Sequence, residues 1–113
     1  MQPVTKITLT DDNGIKFFGE GPCRLLRSVE KTGSLRAAAM EMKMAYSKAT
    51  KILKQAEMNL GFPLTTRIAG GKDGGGSVLT PEGRRLLQRY EAYRDACRQA
   101  NGKLYLEFFP QQR

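Results

Sequence analysis

Histidine is absent from this 113-residue chain, and cysteine occurs only at Cys23 and Cys97. Without an imidazole there is no ordinary acid–base catalyst and no base to activate Cys23, which sits among apolar neighbours. Two cysteines with no CxxC pair are too few soft ligands for a structural zinc site. The expectation is two reduced thiols in a cytoplasmic protein. Apolar runs are only a few residues long, so neither a membrane span nor a signal peptide is expected. Carboxylates are scattered, and Asp11-Asp12 belong to a turn sequence, where such pairs are ordinary solvent-exposed turn formers. These absences argue against an enzyme: no catalytic residue, metal, cofactor or small-molecule effector is expected.

What the chain does have is positive charge in one place. Its 19 lysines and arginines face 11 acids, for a net charge of +8. Residues 1–20 are slightly acidic, residues 21–72 hold ten basic residues against three acids, and residues 73–113 hold seven against five. A localised basic field suits a polyanionic partner, although a solvated basic surface explains charge alone equally well. The length fits one domain, and 40% hydrophobic residues are enough to build a core.

Val4 to Thr10 alternates and is rich in β-branched residues, so it reads as a strand. Asp11-Asp12-Asn13-Gly14 is a turn, and Ile15 to Phe18 is the returning strand of a hairpin. Pro22 suits the first position of a helix carrying Leu25, Leu26 and Val29, which Gly33 ends. Ser34 can cap a second helix, running to about Met42 or Lys43 and presenting Ala38, Ala39 and Met42 as a small apolar face.

The third helix is the most informative. From about Ala45 to Leu60, Ala49, Ile52, Leu53 and Ala56 recur at helical spacing and line one side. The other side carries Tyr46, Ser47, Lys48, Thr50, Lys51 and Lys54, a surface of hydroxyls and ammonium groups that suits the major groove of duplex DNA. Tyr46 reads either as a base contact or as a core residue rotated inward. Leu64 to Ile68 and Ser77 to Leu79 then read as two strands around the tip Gly70 to Gly76. The tip is not a P-loop: Thr66 stands where the first glycine belongs, Asp73 follows Lys72, and strands flank it. It is either a basic wing in which Arg67 and Lys72 supply charge, or a plain loop.

Thr80-Pro81-Glu82 opens a last helix, with a cap, a first-turn proline and an acid at the positive end of the dipole. Leu86, Tyr90, Tyr93, Cys97, Ala100 and Leu104 are spaced 4, 3, 4, 3 and 4, a short heptad seam. It reads as a dimerisation face, or else as packing within the domain. Asn101-Gly102 is a candidate stop before Leu104.

The region from Ile15 onward resembles the DNA-binding domain of ModE-type molybdate-responsive regulators and, more distantly, LysR-type helix-turn-helix domains. The resemblance rests on Gly21-Pro22, Lys31-Thr32-Gly33-Ser34-Leu35, Ala37-Ala38-Ala39, Met44-Ala45-Tyr46-Ser47-Lys48-Ala49, and above all Ala69-Gly70-Gly71-Lys72-Asp73-Gly74-Gly75-Gly76-Ser77-Val78-Leu79-Thr80. It implies a bacterial transcription regulator that binds DNA. Three departures stand out. Lys43-Met44-Ala45 replaces the Gly-φ-Ser turn common before the recognition helix, Thr50 stands where tryptophan is frequent, and no molybdate-binding domain follows within these residues. A shifted base preference and no molybdate binding by this chain are therefore expected.

The expected architecture is mainly α with small β: a winged helix-turn-helix with an N-terminal β-hairpin (1–20), the helix-turn-helix and β wing (21–79), a long C-terminal dimerisation helix (80–102) and a tail (103–113). The expected partners are double-stranded DNA and a second copy of the chain. The expected DNA-binding residues are Ser34, Arg36, Tyr46, Ser47, Lys48, Thr50, Lys51, Lys54, Arg67 and Lys72; the dimer residues are Leu86, Tyr90, Tyr93, Cys97 and Ala100. Arg84 and Arg85 lie near the wing base, where they either reach the DNA backbone or stay solvated. An architectural DNA binder without sequence choice and a protein-interaction module are the rival readings.

Overall fold

A computed structural model describes residues 1–69 and 76–110. The element order is β1 (Leu9–Thr10), β2 (Lys16–Phe18), α1 (Glu20–Thr32), α2 (Leu35–Glu41), α3 (Tyr46–Leu60), β3 (Thr65–Ile68), β4 (Gly76–Leu79) and α4 (Pro81–Phe108). The strands form two separate antiparallel pairs, β1–β2 and β3–β4.

Helix α1 is the hub. It packs on α2, α3, α4, β2 and β4, and its Leu25, Leu26 and Val29 are fully buried. Around them lie Ala38 and Ala39 of α2, Ala49, Leu53 and Ala56 of α3, Leu64, Leu79, Leu87, Tyr90 and Phe18. The alanines on α2 and α3 leave short side chains at the helix contacts, which lets the backbones approach closely.

Gly33 and Gly61 end α1 and α3 as C-caps. Ser34 caps α2 by accepting from the Ala37 N–H at 3.0 Å, and Thr80 caps α4 through the Gly83 N–H at 2.9 Å. Pro22 is the third residue of α1 rather than the first, because the helix begins at Glu20. The cost is the same, since first-turn N–H groups have no partner within a helix. Between α2 and α3, Lys43 takes φ 57°, the left-handed conformation that glycine adopts freely and that costs an L-residue roughly 1 kcal/mol. Ala45 caps α3 without any side-chain hydrogen bond.

The wing root is locked to the core. In register, Thr65 faces Leu79, Thr66 Val78, Arg67 Ser77 and Ile68 Gly76. The Ser77 N–H donates to the Gly33 carbonyl at 2.9 Å and the Thr80 N–H to the Leu64 carbonyl at 3.0 Å. The Thr80 hydroxyl donates to the Pro63 carbonyl at 2.7 Å. Two glycines permit this approach: a Cβ on Gly76 would overlap the Gly33 carbonyl oxygen, and one on Gly83 would overlap that of Leu64.

Three expectations are corrected at the ends of the chain. The first strand is not Val4 to Thr10; only Leu9 and Thr10 pair with β2, and with an irregularity between them. The residues before them serve α4 instead. Ile7 accepts from the Tyr90 hydroxyl at 2.6 Å, Thr5 from the Asn101 amide at 2.6 Å, and Met1 from the Tyr105 hydroxyl at 3.0 Å. Helix α4 does not stop at Asn101-Gly102 but runs to Phe108. A helical glycine costs about 1 kcal/mol relative to alanine; the Asn101 and Tyr105 bonds and the stacked rings of Tyr105 and Phe109, 5.2 Å apart, hold the helix through it.

The third correction concerns the heptad seam, which does not form one face to solvent. Tyr90 is buried in its own domain, edge-on to Phe18 with ring centroids 5.1 Å apart. Leu86 and Cys97 are half-buried, whereas Tyr93, Ala100 and Leu104 are exposed. The domain packs under the start of α4 and the N-terminal segment covers one flank farther on, so residues at heptad spacing meet different surroundings.

Candidate nucleic-acid interface

Helix α3 turns Ala49, Leu53 and Ala56 inward. At 100° per residue, Ser47, Lys51, Lys54 and Met58 then fall on the opposite stripe, and all four are exposed. Met58 closes this stripe on an apolar note, at 84% exposure. Lys48 is also exposed but lies to one side of it. Tyr46, Thr50 and Glu57 lie on the flank toward the wing. There an open groove of about 430 Å³ is lined by Ser34 and Arg36 of the α2 start, by Tyr46, Thr50, Lys54 and Glu57 of α3, and by Thr65, Arg67 and Ser77 of the wing.

The structure therefore brings Ser34, Arg36, Tyr46, Thr50, Lys54 and Arg67 to one groove and puts Ser47, Lys48 and Lys51 on the helix beside it. Lys72 lies outside the described residues. Three of these side chains are already engaged. The Ser34 oxygen is the α2 cap. The Thr50 hydroxyl donates to the Tyr46 carbonyl one turn back, at 2.6 Å, which occupies its proton and leaves its methyl as the freer contact. Tyr46 is half-buried against the core, with the Arg36 guanidinium 4.2 Å above its ring centroid. Of the two readings of Tyr46, the inward one describes its ring better.

Charge on this face is unneutralised. Among the described residues, Arg36, Lys43, Lys48, Lys51, Lys54 and Arg67 form no ion pair. Glu57 is the one acid of the groove, and it is not a counter-ion. Its Oε2 accepts from the Leu64 N–H at 2.7 Å, tying α3 to the wing root. The sequence reading missed Glu57 and the Arg36–Tyr46 stack. No local signal announces the former: a helix C-terminus leaves carbonyls that need donors, and the Leu64 N–H that Glu57 serves belongs to the following segment.

On the opposite side part of the charge is paired, although Arg24, Arg85 and Arg89 form no ion pair among the described residues. Arg27 pairs with Glu91 across α1 and α4 and with Glu30 at 2.6 Å; Arg94 meets Glu20 at 3.2 Å. Hydrogen bonding from Arg27 holds the Glu91 carboxyl below its usual range, and the same bond keeps Arg27 more firmly charged. Cys23 sits beside this network. Burial, reinforced by the Glu91 charge, pushes its thiol up to about 11, so the thiolate needed for redox chemistry is suppressed. Arg84 lies 3.8 Å from Glu30, an ion-pair contact that the sequence reading did not include. Among the described residues no cluster of potential metal ligands occurs, and no helix is long and apolar enough to cross a membrane.

A tri-helical core, a turn that presents α3, and an antiparallel pair beside that helix define the winged helix-turn-helix class. Residues 23–84 match the family described as bacterial regulatory helix-turn-helix protein, lysR family, and the chain belongs to that family. It is 41% identical over 68 residues to the molybdenum-pterin-binding protein MopB of Rhodobacter capsulatus, covering 60% of this chain and 25% of that one. Over 75 residues it is 40% identical to the transcriptional regulator ModE of Haemophilus influenzae, covering 66% and 29%. The chain thus spans about a quarter of the length of these curated relatives, and the likeness is to the helix-turn-helix part of ModE-type regulators. Among solved structures it is similar to the CbnR DNA-binding domain in complex with DNA, with a TM-score of 0.60 and 18% identity, covering 77% of this chain and 94% of that one. At that identity the likeness is one of fold.

Proposed function

We propose that this protein is a sequence-specific transcription regulator that binds duplex DNA as a dimer. The observation that carries the reading is the unpaired basic face of α3, flanked by a groove and a wing that extend it. Helix α3 enters the major groove with Ser47 and Lys51 toward base edges, while Lys48, Lys54, Arg67 and Lys72 meet phosphates. The methyl of Thr50, on the flank toward the wing, makes a contact at the side of the helix. Tyr93, Ala100 and Leu104, exposed on the projecting part of α4, are the side chains left to join two copies. Two copies so joined place half-sites about one duplex turn, or a multiple of it, apart.

The test is selection of bound fragments from sheared genomic DNA at about 0.15 M salt, where attraction beyond roughly 8 Å is screened. An inverted repeat among the recovered fragments supports the reading. Uniform recovery of all sequences points instead to an architectural binder, and no recovery removes DNA as the partner of this chain alone.

A further inference from the structure

The Arg36–Tyr46 pair assigns a role to two residues that are otherwise only near the groove. Arg36 rises from α2, and its guanidinium carbon lies 4.2 Å from the ring centroid of Tyr46, the first residue of α3. The ring is half-buried and packs against the core. A guanidinium over a ring keeps N–H groups available for a further partner, and Arg36 forms no ion pair among the described residues. Arginine also binds a phosphodiester through two parallel N–H donors only when its plane is correctly turned.

We infer that Arg36 is a phosphate clamp preset by Tyr46, so that Tyr46 is a positioning residue and not a reader of bases. The inference rests on the proposed binding of duplex DNA and names the contact it makes at one edge of the site. Phosphate is favoured over a base edge by placement. Arg36 belongs to α2 and lies to one side of the outward stripe from which Ser47 and Lys51 face base edges. The clamp also stands at the start of α3, where Ala45 supplies no side-chain cap and the positive end of the helix dipole favours an anion.

The experiment is a binding titration by fluorescence anisotropy on a fragment recovered from genomic DNA and on unrelated duplex, at several salt concentrations between about 0.05 and 0.2 M. Wild type is compared with Arg36→Ala, Arg36→Lys, Tyr46→Phe, Tyr46→Ala and Arg36→Ala/Tyr46→Ala. Arg36→Ala is expected to weaken binding about tenfold on both duplexes and to lower the log–log salt slope by about 0.9, the loss of one phosphate contact. Tyr46→Phe keeps the ring and is expected to bind as wild type. Tyr46→Ala is expected to approach the Arg36→Ala affinity, and the double variant to be no weaker than the worse single one, because both remove the same contact. Arg36→Lys keeps the charge but loses the fork, and recovers only part of the affinity.

Independent losses in the double variant, an unchanged salt slope for Arg36→Ala, or a change in preferred base at one position would overturn the clamp. Arg36 is exposed, so its variants stay interpretable even where Tyr46→Ala lowers the melting temperature. Wild type binding no duplex at all sinks the DNA reading together with the clamp. DNA binding that needs Lys51 and Lys54 but ignores Arg36 sinks the clamp alone.

Discussion

On the α1–α4 side, Arg27, Lys31, Arg84, Arg94 and Arg98 each meet a carboxylate. On the α2–α3–wing side, Arg36, Lys43, Lys48, Lys51, Lys54 and Arg67 meet none among the described residues. Arg24, Arg85, Arg89 and Lys103 of α1 and α4 also meet none among these residues, so the contrast is one of degree: among the described residues, pairing is common on one side and absent from the other. Glu20, Glu30, Glu91 and Asp95 lie on α1 and α4, and Glu41 at the end of α2 reaches Lys31 of α1, whereas Glu57 of α3 is committed to a backbone N–H. Partial neutralisation on one side leaves the larger share of unpaired charge on the other, so placing acids helps to shape the interface alongside placing lysines. Exposed ion pairs contribute little stability individually. Their consequence here is a bias of unpaired basic charge toward the α2–α3–wing side.

The largest expected effect falls on the shared core, which serves both sides. Leu26→Ala empties a fully buried position of α1 and should cost about 2–5 kcal/mol in chemical denaturation. An effect below about 1 kcal/mol would mean α1 is not the hub. Next comes Gly83→Ala, where the new methyl meets the Leu64 carbonyl; a loss of about 1–3 kcal/mol in the same assay is expected. Lys51→Ala with Lys54→Ala should weaken DNA binding about tenfold or more at low salt while the melting temperature stays near wild type. Unchanged affinity would place the DNA face elsewhere.

Alkaline pH should act on the opposite side. The Cys23 thiol is about 11 when folded and about 8.5 when unfolded. Its protonated form therefore stabilises the fold fully below the unfolded value, and that stability is lost as pH rises through the window between the two. Denaturation midpoints in Cys23→Ala should fall less steeply over that window, and a slope equal to wild type would count against burial of the thiol. Smallest is Arg27→Ala, which removes the partly exposed pairs with Glu91 and Glu30; roughly 0.2–1 kcal/mol of stability is expected to go, with DNA affinity unaffected. Lost affinity there would break the division between the two sides.

Much of this fold was legible along the chain because its signals are local. Helical spacing in Leu25, Leu26, Val29 and in Ala49, Leu53, Ala56 identifies inward faces. Ser34 and Thr80 announce helix starts, and Gly33 and Gly61 announce ends. Each acts through bonds within a few residues. The candidate face of α3 was legible for the same reason: once the inward residues are known, Ser47, Lys51 and Lys54 must point away.

Contacts between distant residues were not legible. Nothing local in Val4 to Thr8 says that this β-like segment will lie against α4 rather than extend the hairpin. Asn101-Gly102 is a sound stop signal that Thr5 and Met1 override from the other end of the chain. The heptad pattern of α4 gives spacing but not partner, and Phe18 and Ile7 claim Tyr90 for the domain. Tyr46 and Arg36 are ten positions apart and meet only because the turn brings α2 against α3. The sequence by itself determined the elements, their caps and the sign of the charge. The tertiary structure alone decided which cations remain unpaired and which seam residues remain exposed, because an ion pair or a buried ring depends on what a remote segment brings to it.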